Sequence, residues 1–274
     1  VQDFEEVENV HEWARLLGYT SISHDLVFGL PFQKHRDVIS TIALTAQLSP
    51  DRLSFYSYAH VPWVKGVGQR GYDENDLPSA EEKRAMYETG KQMLSELGYV
   101  EIGMDHFAKP SDELAIAQKQ GTLHRNFQGY TTNGDCDLLG LGVSSISRVG
   151  KAFSQNQKQL REYYKNIDEN GNSVEKGVIT CEEDAIRGYV IKNLMCNFEL
   201  NINHVNETFK IDFAHYFADE LASLSDFIQD GLVECEEQAI RVLPHARLLV
   251  RTIAMTFDSY MKQQINKQRY SRVI

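Results

Sequence analysis

The sequence predicts an α/β unit, a (β/α) barrel or part of one, followed by a mainly helical, winged-helix-like domain. Three observations predict it. Apolar strand-like runs alternate with stretches of helical period through the first half of the 274 residues. That alternation stops at the polar run Ser154-Gln-Asn-Gln-Lys158. Beyond it come three helical patterns with one hairpin signal between the second and third. The predicted domains are therefore residues 1–154 and 155–274, each of ordinary domain size.

The elements follow in order. His24 to Gly29 reads as a strand, and Gly29-Leu30-Pro31 turns the chain out of it. Val38, Ile39, Ile42, Ala43 and Ala46 recur at helical spacing, and Ser49-Pro50-Asp51 ends that helix because proline disfavours the α region before it. Leu53 to Ala59 is the next strand, followed by a polar, glycine-rich excursion from Lys65 to Asp76. Ser79 with Glu82 forms a capping box for a helix whose core face is Met86, Gly90, Met93, Leu94 and Leu97, stopped by Gly98. Tyr99 to Phe107 and Leu138 to Ile146 read as two further strands. Strands separated by helices imply parallel pairing with both sheet faces covered. In the second half the helical patterns are Glu182 to Asn197, Phe213 to Gln229 and Pro244 to Gln264, with Gly231 to Val242 as the hairpin.

Composition narrows the function. With 42% hydrophobic and 24% charged residues the chain is neither disordered, collagenous nor a disulfide miniprotein. Its formal charge of -11 repels phosphate backbones, so a nucleic-acid partner is disfavoured. Cys136, Cys181, Cys196 and Cys235 lie far apart and make neither CxxC nor CxxxCxxC, which excludes a local zinc clip or iron-sulfur loop and suits reduced thiols in the cytoplasm. No apolar run reaches the roughly 20 residues of a membrane helix. The start, Val-Gln-Asp-Phe-Glu-Glu, has no signal-peptide features and no Met, and reads as the cut edge of a longer protein.

Several residues are candidates for chemistry. Asp25 interrupts an apolar strand, and a buried carboxylate there needs a partner, either backbone amides or a ligand. Sites in parallel sheets collect where strands end, which favours the ligand. His60 follows a strand end and is either a general acid/base or a satisfied structural ring; Asp105-His106 repeats the form. His124-Arg-Asn-Phe-Gln-Gly-Tyr130 is the densest set, with a cation, two amides and two aromatic rings. It either lines a pocket or is an exposed loop. Gly140-Leu-Gly-Val-Ser144 lacks the lysine of a P-loop and gives no triphosphate site.

These segments together resemble the oxygen-independent coproporphyrinogen III oxidases, radical S-adenosylmethionine enzymes. The resemblance runs through Val1-Gln-Asp-Phe4, Asp25-Leu-Val-Phe-Gly-Leu-Pro31, Pro50-Asp-Arg-Leu-Ser54, Tyr58-Ala-His60, Gly103-Met-Asp-His-Phe-Ala108 and His124-Arg-Asn-Phe-Gln-Gly-Tyr-Thr-Thr132. It continues through Leu139-Gly-Leu-Gly-Val-Ser144 and Gln155-Asn-Gln-Lys158 to Ser271-Arg-Val-Ile274, nearly the whole chain. It implies part of a radical-SAM TIM-like (β/α) barrel followed by a helical domain that covers the substrate. It also implies the conversion of coproporphyrinogen III to protoporphyrinogen IX. In the family a 4Fe-4S cluster held by CxxxCxxC cleaves S-adenosylmethionine to a 5′-deoxyadenosyl radical. Hydrogen abstraction and loss of CO2 then turn two propionates into vinyls, with an electron donor and an electron acceptor that the sequence does not identify.

That cysteine motif lies upstream of the Val-Gln-Asp-Phe segment in the family, so the cluster ligands and the first barrel strands are expected before this chain. A family stretch with an Asn-Arg pair also has no counterpart, Glu5 following Phe4 directly. By motif position, Gln2, Asp25 and Ala59 match residues contacting S-adenosylmethionine in the family's second such site. Ile146 matches an apolar wall against the adenine of the cluster-bound molecule. Phe127 and Gln128 match the pair beside the reaction cavity, absent from related haem chaperones, and Arg125 beside them is expected to pair with a substrate propionate. The alternatives are such a chaperone, or a non-enzymatic winged-helix binding protein.

Overall fold

The structure, a computed structural model, describes residues 3–62, 69, 71–134 and 136–262. The chain divides into two compact units at Gln120/Gly121. In the first, α1 (Phe4–Leu16) is capped by Asp3, whose carboxylate accepts from the Glu6 amide at 2.9 Å. Then come β1 (Ser23–Phe28), α2 (His35–Leu48), β2 (Arg52–Ser57), α3 (Ala80–Glu96), β3 (Val100–Gly103), β4 (His106–Ala108) and α4 (Glu113–Lys119). The Ser79–Glu82 box forms as expected, with both reciprocal hydrogen bonds, at 3.1 and 2.8 Å.

β1 and β2 pair in parallel, Ser23 opposite Arg52 through Phe28 opposite Ser57. Beyond β2 the predicted parallel pattern gives way. Tyr99 to Phe107 is not one strand: Met104 takes φ 51° and the chain reverses, so β4 runs antiparallel to both β2 and β3 in the order β1-β2-β4-β3. A reversal at two residues leaves the apolar count of the run unchanged, which is why periodicity does not reveal it.

Alternation gives the sheet two faces. Phe28 and Phe55 stack at 4.5 Å on the face toward α2 and α3. There Gly90 of α3 leaves the room that the Phe55 ring occupies, since any Cβ at Gly90 would collide with that ring. The opposite face carries Ser23, Asp25 and Val27 of β1 with Arg52, Ser54 and Tyr56 of β2.

The second unit begins with the hairpin β5 (His124–Asn126) and β6 (Gly129–Thr131), then β7 (Ile146–Val149), β8 (Ala152–Asn156), α5 (Leu160–Asn170) and β9 (Val174–Ile179). β7, β8 and β9 form one antiparallel sheet. The boundary expected at residue 154 thus falls inside its middle strand. The run Leu138 to Ile146 is also not a strand. It is a loop bridged to β7 by Leu138 and Arg148, whose amides donate to each other's carbonyls at 2.8 Å, and Gly142 takes φ 93° within it.

The remainder is α6 (Glu182–Asn197), β10 (Glu199–Asn201), α7 (Ile202–Phe209), α8 (Phe213–Tyr216), α9 (Ala218–Ser223), α10 (Ser225–Gln229), β11 (Val233–Cys235), β12 (Ala239–Val242), a 3-10 segment at Pro244–Leu249, α11 (Val250–Met255) and α12 (Ser259–Lys262). α6 and the hairpin match expectation, and β10 completes a three-stranded sheet in the order β10-β12-β11. The helix predicted over Phe213 to Gln229 is broken into three at Phe217 and Leu224, both fully buried. Phe217 sits 4.8 Å from the Phe213 ring and 5.4 Å from Phe257, so ring packing overrides the continuous helical period. Arg187 of α6 is the charged tie in this core. It donates at 3.0 Å both to Glu220, which is 4% exposed, and to the Phe257 carbonyl.

Candidate functional site

In the first unit the candidate residues lie on β1 and just beyond β2. Asp25 is exposed, contrary to the sequence expectation of a buried carboxylate. β1 lies at one side of its sheet, so Asp25 reaches open space from the face away from α2 and α3, and it makes no hydrogen bond or ion pair among the described residues. It lines a cavity of about 810 Å³ that wraps β1 and includes Phe4, His11 and Leu44. His11 Nδ1 and His24 Nε2 meet there at 3.1 Å. Burial, then Arg15, lowers the His11 pKa; burial, then His11 itself, lowers that of His24.

Asp25 is not at a strand end but level with Ser54. His106 stands opposite Ser54 on the far side of β2, so Asp25, Ser54 and His106 form one row across the same face. Asp105 Oδ1 lies 2.7 Å from His106 Nδ1, and the ring meets Tyr56 edge-on. Sequence reading places this histidine at a strand end like His60. The row was hidden because it depends on the antiparallel return of β4.

Ala59 lies two residues past the end of β2 and is exposed; the cavity that Asp25 lines does not include it. Its carbonyl accepts from Gln69 Nε2 at 2.8 Å, and the same amide's oxygen accepts from the Val61 amide at 2.7 Å. The turn is laced further by the Tyr58–Tyr72 hydroxyl contact at 2.5 Å and by His60 Nδ1 at 3.1 Å from Tyr72. Burial, with the Tyr58 hydrogen bond, pushes the Tyr72 hydroxyl up to about 12. His60 Nε2 is buried without a hydrogen bond, Glu74 standing 3.6 Å away. Lys83 of α3 crosses this end of the sheet to donate to the Tyr58 carbonyl at 3.2 Å. Burial lowers its pKa. A Cβ at Gly29 would meet Lys83 Cε at 2.6 Å, a contact the flexible lysine could yield, so it is the left-handed φ of 80° that calls for glycine in this turn. Gln2 and the terminal Ser271–Ile274 lie outside the described residues.

In the second unit Phe127 and Gln128 are the two tip residues of the β5–β6 hairpin, so the dense segment is neither a pocket wall throughout nor an unstructured loop. The Asn126 side chain accepts from the Gln128 amide at 2.8 Å and sets the turn. Both tip residues are exposed, Phe127 by 67%. Tyr130 anchors the hairpin, its hydroxyl donating to the Met195 carbonyl of α6 at 3.1 Å. Arg125 extends over the Tyr130 ring at 5.6 Å. Ile146 opens β7 and is half-buried, with its backbone against Gly140, where a Cβ would lie 2.7 Å from the Ile146 carbonyl oxygen. Sequence reading missed Lys192, which approaches His124 Nδ1 to 3.4 Å from α6. An isolated lysine in a helical pattern carries no signal of what it faces.

Among the described residues no group of three or more His, Cys, Asp or Glu is placed to hold a metal. The four cysteines are free, Cys196 buried and the other three exposed. No helix among the described residues is long and apolar enough to cross a membrane.

Comparison with known proteins gives this geometry a family. Residues 182–249, from α6 through the 3-10 segment, match the HemN C-terminal domain. The oxygen-independent coproporphyrinogen III oxidase of Salmonella typhimurium is 47% identical over 100% of this chain and 60% of its own length. The chain thus spans about three-fifths of that relative. The same-named protein of Thermostichus vulcanus is 41% identical over 93% of this chain and 78% of its own length. A solved structure, described as the Escherichia coli coproporphyrinogen III oxidase (HemN), a radical SAM enzyme, superposes with a TM-score of 0.92 at 46% identity, covering 95% of this chain and 60% of that one. Its fold is therefore that of the corresponding part of a radical SAM enzyme with its C-terminal domain, and the chain belongs to the oxygen-independent coproporphyrinogen III oxidase family.

Proposed function

We propose that this chain provides the substrate-facing part of an enzyme that oxidatively decarboxylates two propionates of coproporphyrinogen III to the vinyls of protoporphyrinogen IX. The observation that carries the reading is the 47% identity with an oxidase along the whole chain. When bound, S-adenosylmethionine with a 4Fe-4S cluster supplies the hydrogen-abstracting chemistry. The open carboxylate of Asp25 fits an ammonium or ribose hydroxyls, since it carries no other partner that a ligand would have to displace. Ala59 fits only through its remaining carbonyl lone pair, the other being engaged by Gln69. The described residues do not fit a cluster, which their cysteines are not placed to ligate. Ile146 offers an apolar surface for adenine. Phe127 and Gln128 stand beside the reacting side chain, and Arg125, fixed over Tyr130, pairs with a propionate carboxylate.

The enzyme draws on one electron donor and one electron acceptor, and works in the cytoplasm without nucleic acid or membrane. A net charge of -11 supports the reading without nucleic acid. The test is anaerobic turnover by the complete natural protein with reductant, S-adenosylmethionine and coproporphyrinogen III. Protoporphyrinogen IX and 5′-deoxyadenosine should both accumulate; formation of neither rejects the proposal. In the same assay Arg125→Ala should raise KM for coproporphyrinogen about tenfold, the worth of one charge-assisted contact, with S-adenosylmethionine affinity retained. An unchanged KM removes the role given to Arg125.

A further inference from the structure

The chain is acidic overall, yet one cavity of the second unit, about 420 Å³ in volume, gathers Arg125, Arg148, Lys151 and Lys192 from three separate stretches of chain. None of the four makes an ion pair with a described carboxylate, although eleven Arg or Lys pairs with Asp or Glu are formed elsewhere among the described residues. The acid on the cavity wall, Asp184, is already committed. It accepts from the Cys181 amide at 2.8 Å as part of the α6 cap and from the Tyr260 hydroxyl at 2.8 Å, and these bonds hold its pKa below the usual carboxylate value. Those donors are neutral and leave Asp184 ionised, so among the described residues that line the cavity four cations stand against one carboxylate, an excess of positive charge.

Three of the four heads lie beside aromatic rings. Arg125 lies 5.6 Å from the Tyr130 ring centre, Arg148 5.9 Å from Phe153 and Lys192 5.4 Å from Tyr189. Stacking on rings limits the entropy that binding an anion would otherwise cost. The floor is left open by Gly188, which shares the α6 face of Asp184 and Lys192 at four-residue spacing and has nothing within 4 Å of where its Cβ would stand.

We infer that this cavity is a carboxylate-binding pocket in which Arg148, Lys151 and Lys192, with Arg125 at its edge, hold propionate arms of the tetracarboxylate substrate. The inference rests on the function proposed above and adds three positioning residues to it. The cavity lies at the small end of the range for small-molecule sites, so it suits carboxylate arms and not a macrocycle.

The experiment measures equilibrium binding of coproporphyrin III, the stable oxidised form of the substrate, to the complete protein by fluorescence, with citrate as a plain polycarboxylate competitor. The triple variant Arg148→Gln/Lys151→Gln/Lys192→Gln should bind coproporphyrin at least tenfold more weakly, with S-adenosylmethionine affinity unchanged. Gly188→Leu, which fills the floor and removes no charge, should weaken it as well without lowering Tm, because leucine favours a helix more than glycine does. Coproporphyrin affinity unchanged in both folded variants overturns the pocket. Loss of citrate competition alone, with coproporphyrin affinity intact, overturns the substrate assignment too, leaving a general anion site. Because binding is read without turnover, a wild-type protein that converts substrate while the variants bind normally defeats only this inference. A wild-type protein that neither binds nor converts coproporphyrin defeats the proposed function itself.

Discussion

Two acids, one from each unit, are treated in opposite ways. In the second unit, Glu220 is buried against Arg187 and belongs to the core. In the first, Asp25 sits on a strand with no partner among the described residues, while the buried acid of that unit, Asp112, is saturated by Arg52, Ser21 and the Leu114 amide. A buried charge survives only when its hydrogen-bonding capacity is met inside the protein. A charge left unmet at the surface costs the fold little and is free to serve a ligand. The contrast separates the acids that hold the fold from the acid proposed to serve S-adenosylmethionine.

The largest effect should come from breaking the buried tie. Arg187→Ala takes the Arg187 cation away from the buried Glu220 and its N–H donor away from the Phe257 carbonyl. It should destabilise the unit by about 3 kcal/mol, roughly 10 °C in Tm. Arg187→Lys, which keeps charge but not the fork, should lose less. A thermal scan in which the Ala variant drops by under roughly 2 °C would place the pair among decorative surface contacts.

An intermediate effect sharpens the contrast by pH. His11 and His24 both titrate below their ordinary 6.5 in the folded state, burial being the first cause. The native protein then binds fewer protons than the unfolded chain between the lowered values and 6.5, so stability rises with pH across that window. It is fully present above 6.5 and lost as pH falls through it toward the lowered values. Unfolding followed from about pH 8 to about pH 5 should show this loss, and His11→Gln should flatten it. Equal slopes for both proteins would mean that other groups govern the acid limb.

The smallest stability effect belongs to Asp25→Asn, which should move unfolding by under about 0.5 kcal/mol while weakening S-adenosylmethionine binding in the complete protein. A large loss of stability with cofactor affinity intact would reverse its assignment, returning Asp25 to the structural acids.

Much of the fold was legible because local rules and packing agree. The Ser79–Glu82 box, the pairing of β1 with β2, α6 and the β11–β12 hairpin all follow from period and cap chemistry. What failed to show depends on contacts between distant residues. The breaks at Phe217 and Leu224 occur where no glycine or proline marks them, since ring packing decides them, and the lone Gly103 before the reversal at Met104 does not by itself tell a turn from a strand glycine. The site divides likewise. A motif can mark Phe127–Gln128 as special, but the exposure of Asp25, the row it shares with His106 and the cations converging on the second-unit cavity exist only after folding.

The outer position of β1 leaves a row of backbone amides and carbonyls with no described partner on one side. The chain spans about three-fifths of its Salmonella relative, so in the complete protein that edge is available to another strand, and the neighbour it takes decides how much of the hollow beside Asp25 stays open to a ligand.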